Sequence, residues 1–138
     1  MMAILGIDFG QRRIGLAIAH QGLAFEYKTL SGADLDLLIE EIGQICQKEK
    51  VEKVVVGLAK TAKGKIGFQA KKQQEFGKKL KAKLDIPIVF QNEILSTKEA
   101  ERILKEQGIK KEKFSEAIDS KSAQLILQSY LDNLKCNT

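Results

Sequence analysis

The run Ile4-Leu5-Gly6-Ile7-Asp8-Phe9-Gly10-Gln11-Arg12-Arg13-Ile14-Gly15-Leu16-Ala17-Ile18-Ala19 constrains the fold more than any other part of the chain. From Ala3 to Ile7 nearly every residue is apolar, which suits a strand buried on both faces. Asp8 follows where that strand ends, and a carboxylate is costly to bury without a partner. Gly10 and Gly15 flank a tight turn, where a missing side chain permits φ > 0 or the close approach of another group. Arg12 and Arg13 put positive charge beside the acid, and a second apolar strand follows. Taken alone, this stretch fits two readings. One is a β-hairpin whose Asp caps the turn; the other is a strand end that carries a functional acid.

The rest of the chain narrows the choice. A length of 138 residues with one Pro, 43% apolar and 30% charged, predicts a single globular domain over 1–138 with a substantial core. No apolar run approaches bilayer-spanning length, and no secretory signal opens the chain, so the expectation is a cytoplasmic protein with no membrane partner. Cys46 and Cys136 read as free thiols rather than a disulfide or metal pair. His20 is the only histidine, which excludes Ser-His-Asp, Cys-His and multi-histidine zinc chemistry. It precedes a Gln21-Gly22 turn, where it is expected to be solvated. The net charge is +5, but its distribution says more: Lys60 to Lys83 holds nine lysines and a single acid, Glu75. A solvated helix face usually mixes signs, whereas a one-sign block fits a phosphate-rich partner. A solubility patch is the alternative.

Periodicity lays out the elements. A third strand is predicted over Leu23–Leu30, followed by Ser31 as a helix N-cap. Leu35, Leu38, Ile39, Ile42, Ile45 and Cys46 then recur at helical spacing. Lys53–Gly57 reads as a buried parallel strand, reached by a right-handed crossover. A Lys- and Gly-rich loop, 57–67, leaves its C-terminal end, where open α/β sheets place active sites. A helix over Phe68–Leu84 carries Phe76, Leu80 and Leu84 on one stripe. Ile86–Phe90 is the next strand, with Pro87 at its start. Ser96 and Glu99 form a capping box for a helix with Ala100, Ile103 and Leu104 inside, stopped by Gly108. After a charged connector, 110–113, a last helix runs over Ser115–Leu134 with Asp119, Ala123, Ile126, Tyr130 and Leu134 on its inner stripe. An acid near a helix start suits the dipole, but an inward-facing Asp119 also needs a partner.

The element order is therefore βββαβαβαα. Three antiparallel strands followed by two parallel ones set strand one beside strand four at the sheet centre. That arrangement gathers Asp8, Glu93 and Asp119 at one edge. Three carboxylates without His or Cys make a hard oxygen site for Mg²⁺ or Mn²⁺ rather than zinc. With a lysine block beside it, the chemistry that follows is metal-assisted phosphodiester hydrolysis.

The chain resembles the bacterial Holliday-junction-resolvase-like proteins, also described as pre-16S ribosomal RNA nucleases, of the ribonuclease H-like superfamily. The resemblance runs almost end to end. It rests on Gly6-Ile7-Asp8-Phe9-Gly10 with Arg13-Ile14-Gly15-Leu16-Ala17, on Val55-Val56-Gly57-Leu58, on Glu93 with Leu95-Ser96-Thr97-Lys98-Glu99-Ala100-Glu101, and on Ile118-Asp119 with Ala123, Ile126-Leu127-Gln128 and Tyr130-Leu131. It implies an α/β fold with a five-stranded mixed sheet flanked by helices, and acidic metal ligands at Asp8, Glu93 and Asp119. Arg13 matches a recurring position, as a phosphate contact or a clamp on the acids. Arg12, Arg13, Lys60, Lys63, Lys65, Lys71 and Lys72 are the expected contacts to nucleic acid, whether RNA or branched DNA. Precursor ribosomal particles are a possible partner, and the chain is expected as a monomer or homodimer. The sequence departs from the family pattern at Gln11, Ala59, Asn92, Ile94 and Ser122, where Thr or Ser, Pro, Asp, Arg and Ala are usual. Better-known resolvases add a fourth acid three residues from the helix Asp, for which Glu116 is the nearest counterpart.

Three other readings stand beside this one, of which the plainest is a purely structural protein whose acids are caps. An apolar strand followed by Asp-Phe-Gly also opens actin-like ATPases and sugar kinases, but those resemble a duplicated core and this chain shows no internal repeat. A non-catalytic nucleic-acid- or ribosome-binding module would keep the fold and the lysines and lack metal-dependent cleavage.

Overall fold

A computed structural model describes residues 3–10, 13–59, 67–92, 102–103, 105–108 and 114–136. Five strands, β1 (Ala3–Phe9), β2 (Arg13–His20), β3 (Leu23–Ser31), β4 (Val51–Leu58) and β5 (Ile88–Asn92), form one sheet in the order β3-β2-β1-β4-β5. The first three pair antiparallel; β1 with β4 and β4 with β5 pair parallel. The expected mixed sheet with β1 beside β4 is present. Helices α1 (Leu35–Lys48), α2 (Phe68–Lys83) and α3 (Phe114–Cys136) flank it.

The strand period of two sorts the side chains into two layers. Leu5, Ile7, Ile14, Leu16, Ile18, Val54 and Val56 face α1 and α2 and pack with Ile39, Ile42, Phe76 and Leu80. Ala17, Ala19, Ala24 and Val55 face α3 and pack with Ala123, Ile126, Leu127 and Leu131. The α3 face is lined with small residues, and this brings the helix close to the sheet. A Cβ on Gly6 would lie 2.8 Å from Leu127 Cβ, and one on Gly15 would lie 1.9 Å from the Asp119 carbonyl oxygen. Both glycines are there because helix backbone occupies the space a side chain would need.

Three local expectations are corrected. Asp34, not Ser31, caps α1: its side chain accepts from the Asp36 and Leu37 amides at 3.0 and 3.3 Å. Ser31 is taken by the ladder, where it pairs with Arg13. Leu134 is 43% exposed, while Leu127 and Leu131 are buried. The buried residues follow the i, i+4 row through Ala123, Leu127 and Leu131 instead. Two glutamines tie the neighbouring flank of the helix to β3. Gln124 donates to the Ala24 carbonyl at 2.9 Å, and Gln128 accepts from the Ala24 amide at 3.0 Å. Both outward-facing groups of this edge residue are thus satisfied, which blunts the edge against further strand pairing. Finally, β5 begins at Ile88, one residue after Pro87, whose carbonyl accepts from Val54 at 3.0 Å.

Other expectations hold. Leu38, Ile39, Ile42, Ile45 and Cys46 are buried, and His20 is exposed. Burial pushes the Cys46 thiol up to about 11, so it is protonated at neutral pH. Iodoacetamide at pH 8 is expected to leave Cys46 unmodified in the native protein and to modify it in urea; peptide mass mapping reads the difference. Arg102, Ile103, Lys105 and Glu106 are helical, and Gly108 at φ +76° stops the chain there as expected. The capping box of Ser96 and Glu99, Ala100 and Leu104, and the connector 110–113 lie outside the described residues. Among the described residues, no helix is long and apolar enough to cross a membrane.

Candidate active site

Asp8 lies inside the β1 ladder, opposite Gly15 of β2, rather than in the turn that follows. It is half-buried and shares the α3 face of the sheet with Gly6. The second turn of helix α3 lies over this point, because the Asp119 backbone rests on Gly15. Asp8 and Asp119, 111 positions apart in sequence, are thereby brought to the same end of the sheet. Arg13, at the start of β2, donates from Nε to Asp119 Oδ2 at 2.7 Å. This bond fixes the Asp119 carboxylate against the sheet, and at that distance it is a charge-assisted hydrogen bond. Of the two roles open to Arg13 in the sequence, the clamp on an acid is the one seen.

The strand ends are held from the other face by α2. The Gln69 amide donates to the Phe9 carbonyl at 3.0 Å, and Gln73 donates to the same oxygen at 3.5 Å. Gln73 is fully buried and accepts from the Ala59 amide at 2.7 Å. The Phe9 ring stacks on Phe76 with centroids 4.3 Å apart. These contacts pin the residue after Asp8 and the residue after β4 to one helix. Neither glutamine stands out in the sequence. The signal available there is their spacing: positions 69 and 73 continue the stripe of Phe76 and Leu80, so two amides sit where apolar residues are expected.

The lysine block reaches this end of the molecule. Lys72 lines a cavity of about 90 Å³ with Phe9, Gly10 and Gln69. Lys71, Lys78, Lys79, Lys81 and Lys83 are exposed along α2. Arg12, Lys60, Lys63, Lys65 and Glu93 lie outside the described residues, as does the Glu116 side chain. Asn92, the residue before Glu93, pairs with Leu58 at the same ends of β4 and β5. A cavity of about 610 Å³ is elsewhere: it lies between α1 and the end of α2, at the opposite end of the strands, lined by Ile39, Cys46, Val51 and Leu84 among others.

The fold is that of the ribonuclease H-like resolvases. Thermus thermophilus RuvC in complex with a Holliday junction substrate aligns with a TM-score of 0.64, covering 100% of this chain and 98% of that one at 12% identity. The fowlpox virus resolvase, also solved with Holliday junction DNA, aligns with a TM-score of 0.56 over 96% and 99% at 14% identity. Residues 2–133 match the family model described as RuvX: Holliday junction resolvase, and the chain belongs to that family. A relative from Caldanaerobacter subterraneus subsp. tengcongensis, named "Putative pre-16S rRNA nuclease", is 42% identical over 97% of this chain and 99% of its own length. One of the same name from Syntrophomonas wolfei is 38% identical over 95% and 94%.

Proposed function

We propose that this protein is a Mg²⁺- or Mn²⁺-dependent nuclease that hydrolyses phosphodiester bonds in structured nucleic acid, either at the 5′ end of precursor 16S ribosomal RNA or at Holliday junctions. The observation that carries this reading is the seating of Asp119 on Gly15, the strand partner of Asp8, beside a lysine-bearing helix. The donor set fits a hard divalent cation: carboxylate oxygens, with no thiolate or imidazole near them among the described residues. Asp8, Asp119 and Glu93 would hold the ion. When bound, it supplies Lewis acidity toward the scissile phosphate and lowers the pKa of the attacking water.

The chain's own residues do the rest. Arg13 keeps the Asp119 carboxylate in place. Gln69 and Gln73 fix the end of β1, and so the position of Asp8 along the strand. Arg12, Lys60, Lys63, Lys65, Lys71 and Lys72 hold the phosphate backbone. Such contacts position the substrate without reading its sequence. The family name and the relatives' names support nuclease chemistry, and the lysines support a nucleic-acid partner.

The test is cleavage of labelled four-way DNA junctions and of 5′-extended 16S precursor RNA in parallel, with Mg²⁺, Mn²⁺ or chelator. Metal-dependent cutting of one substrate supports the reading and selects the substrate. Salt-sensitive binding of both without cutting favours the binding module. The lysines make a separate prediction. Replacing Lys71 and Lys72 with Ala is expected to lower the slope of log Kobs against log salt by about 0.7 to 0.9 for each phosphate that is no longer neutralised, measured by fluorescence anisotropy across a salt series.

A further inference from the structure

Ser122 is the one buried side chain among the described residues whose polar atom has no hydrogen-bond partner: it is 0% exposed, and its Oγ is unpaired. A buried hydroxyl left unbonded carries its full desolvation cost, and an alanine of nearly the same size would avoid that cost. The position of this hydroxyl indicates what completes it. Ser122 lies three residues after Asp119 on α3, a spacing that makes the two side chains neighbours. The turn containing both crosses the sheet between two fixed points. The Asp119 carbonyl rests against Gly15, the partner of Asp8, and the Ala123 carbonyl would lie 3.2 Å from a Cβ on Gly6. Asp8 is two residues beyond Gly6 on the same face. Ser122 therefore sits on the turn of helix that covers Asp8.

Its flank of the helix is also defined. Lys121, Gln124 and Gln128 mark the side toward β3, through Glu26, Ala24 and Gly22. At 100° per residue, Ser122 falls on the other side with Ile126, toward β4 and β5.

We infer that the Ser122 hydroxyl hydrogen-bonds a water in the hydration shell of the divalent cation held by Asp8 and Asp119, which makes Ser122 a positioning residue for the ion. The inference rests on the metal-site reading above. Hard cations such as Mg²⁺ keep several of their waters when bound by carboxylates, so a shell water is available to a nearby hydroxyl. Partners of this kind orient what the metal holds, and their loss typically costs tenfold or more in metal affinity.

The test uses the full chain and Mn²⁺ alone, with calorimetric titration and metal-free melting of wild type, Ser122→Ala and Asp119→Asn. The expected result is a metal-free Ser122→Ala protein that melts at or above the wild-type temperature and binds Mn²⁺ about tenfold more weakly. Asp119→Asn is expected to lose binding. Wild-type affinity in Ser122→Ala overturns the inference. So does a Ser122→Ala protein that melts well below wild type without metal, because the hydroxyl is then bonded within the fold. If wild type binds no Mn²⁺, the metal-site reading itself fails and this inference fails with it; if wild type binds and Asp119→Asn does not, a failure at Ser122 stands alone.

Discussion

Asp8→Asn is expected to abolish metal-dependent cleavage, with a rate loss of about 10³-fold or more, equivalent to about 4 kcal/mol in the barrier. The amide keeps the shape of the side chain and removes its charge. A neutral oxygen is a poor ligand for a hard dication, while the β1 ladder around position 8 is formed by backbone groups and stays intact. The variant is therefore expected to fold. Affinity for nucleic acid is expected to hold or increase, because a negative charge beside the phosphates is removed. Single-turnover cleavage, anisotropy and thermal melting on the same preparations separate these effects. Undiminished cleavage by Asp8→Asn would remove Asp8 from the chemistry, and parallel loss of cleavage and folding would make it a structural acid.

Gly15→Ala is expected to destabilise the protein more than an alanine at Gly6, Gly43 or Gly77. Its Cβ would lie 1.9 Å from the Asp119 carbonyl oxygen and 2.3 Å from the carbonyl carbon, both backbone atoms that cannot rotate away. The start of α3 must lift from the sheet, which costs about 3 kcal/mol at the upper end of overpacking effects and lowers Tm by about 10 °C in a domain of this size. The same displacement carries Asp119 away from Asp8 and from Arg13. Cleavage measured well below the new Tm should therefore fall too. Gly6→Ala is the milder comparison, because its closest approaches, 2.8 Å to Leu127 Cβ and 3.2 Å to the Ala123 carbonyl oxygen, are longer. A Gly15→Ala protein with wild-type Tm and activity would show that the helix is not seated on β2 in this way.

Much of the fold was legible in the sequence because its signals are periodic and local. The apolar run into Asp8, the β-branched run of β4 and the stripe of α1 each specify an element without reference to the rest of the chain. The element order then leaves few sheet topologies open. The misreadings came where a distant partner decides. Ser31 and Asp34 are both competent caps, and the choice between them depends on how far β3 pairs with β2, with Ser31 opposite Arg13. Leu134 lies on the drawn stripe, but the sheet contacts of α3 follow Ala123, Leu127 and Leu131 and leave it exposed.

The site divides in the same way. Asp8 and Asp119 stood out as acids at a strand end and on an apolar helix face, and these are properties of single segments. The bond between Arg13 and Asp119 spans 106 positions, and no local pattern announces it. Gln69 and Gln73 were hidden by their amphipathic neighbours, since a polar residue on an inner stripe shows its purpose only once the carbonyl it bonds is known. Gly15 reads as a turn glycine in the sequence, whereas its role is to leave room for the backbone of another element.

The most direct test of the central claim is a crystal grown with Mn²⁺ and measured for anomalous scattering from the ion. The expected result is a peak at the Asp8 and Asp119 carboxylates. A crystal with Mn²⁺ in the medium and no peak at these residues, or with its only peak elsewhere on the chain, would contradict the account.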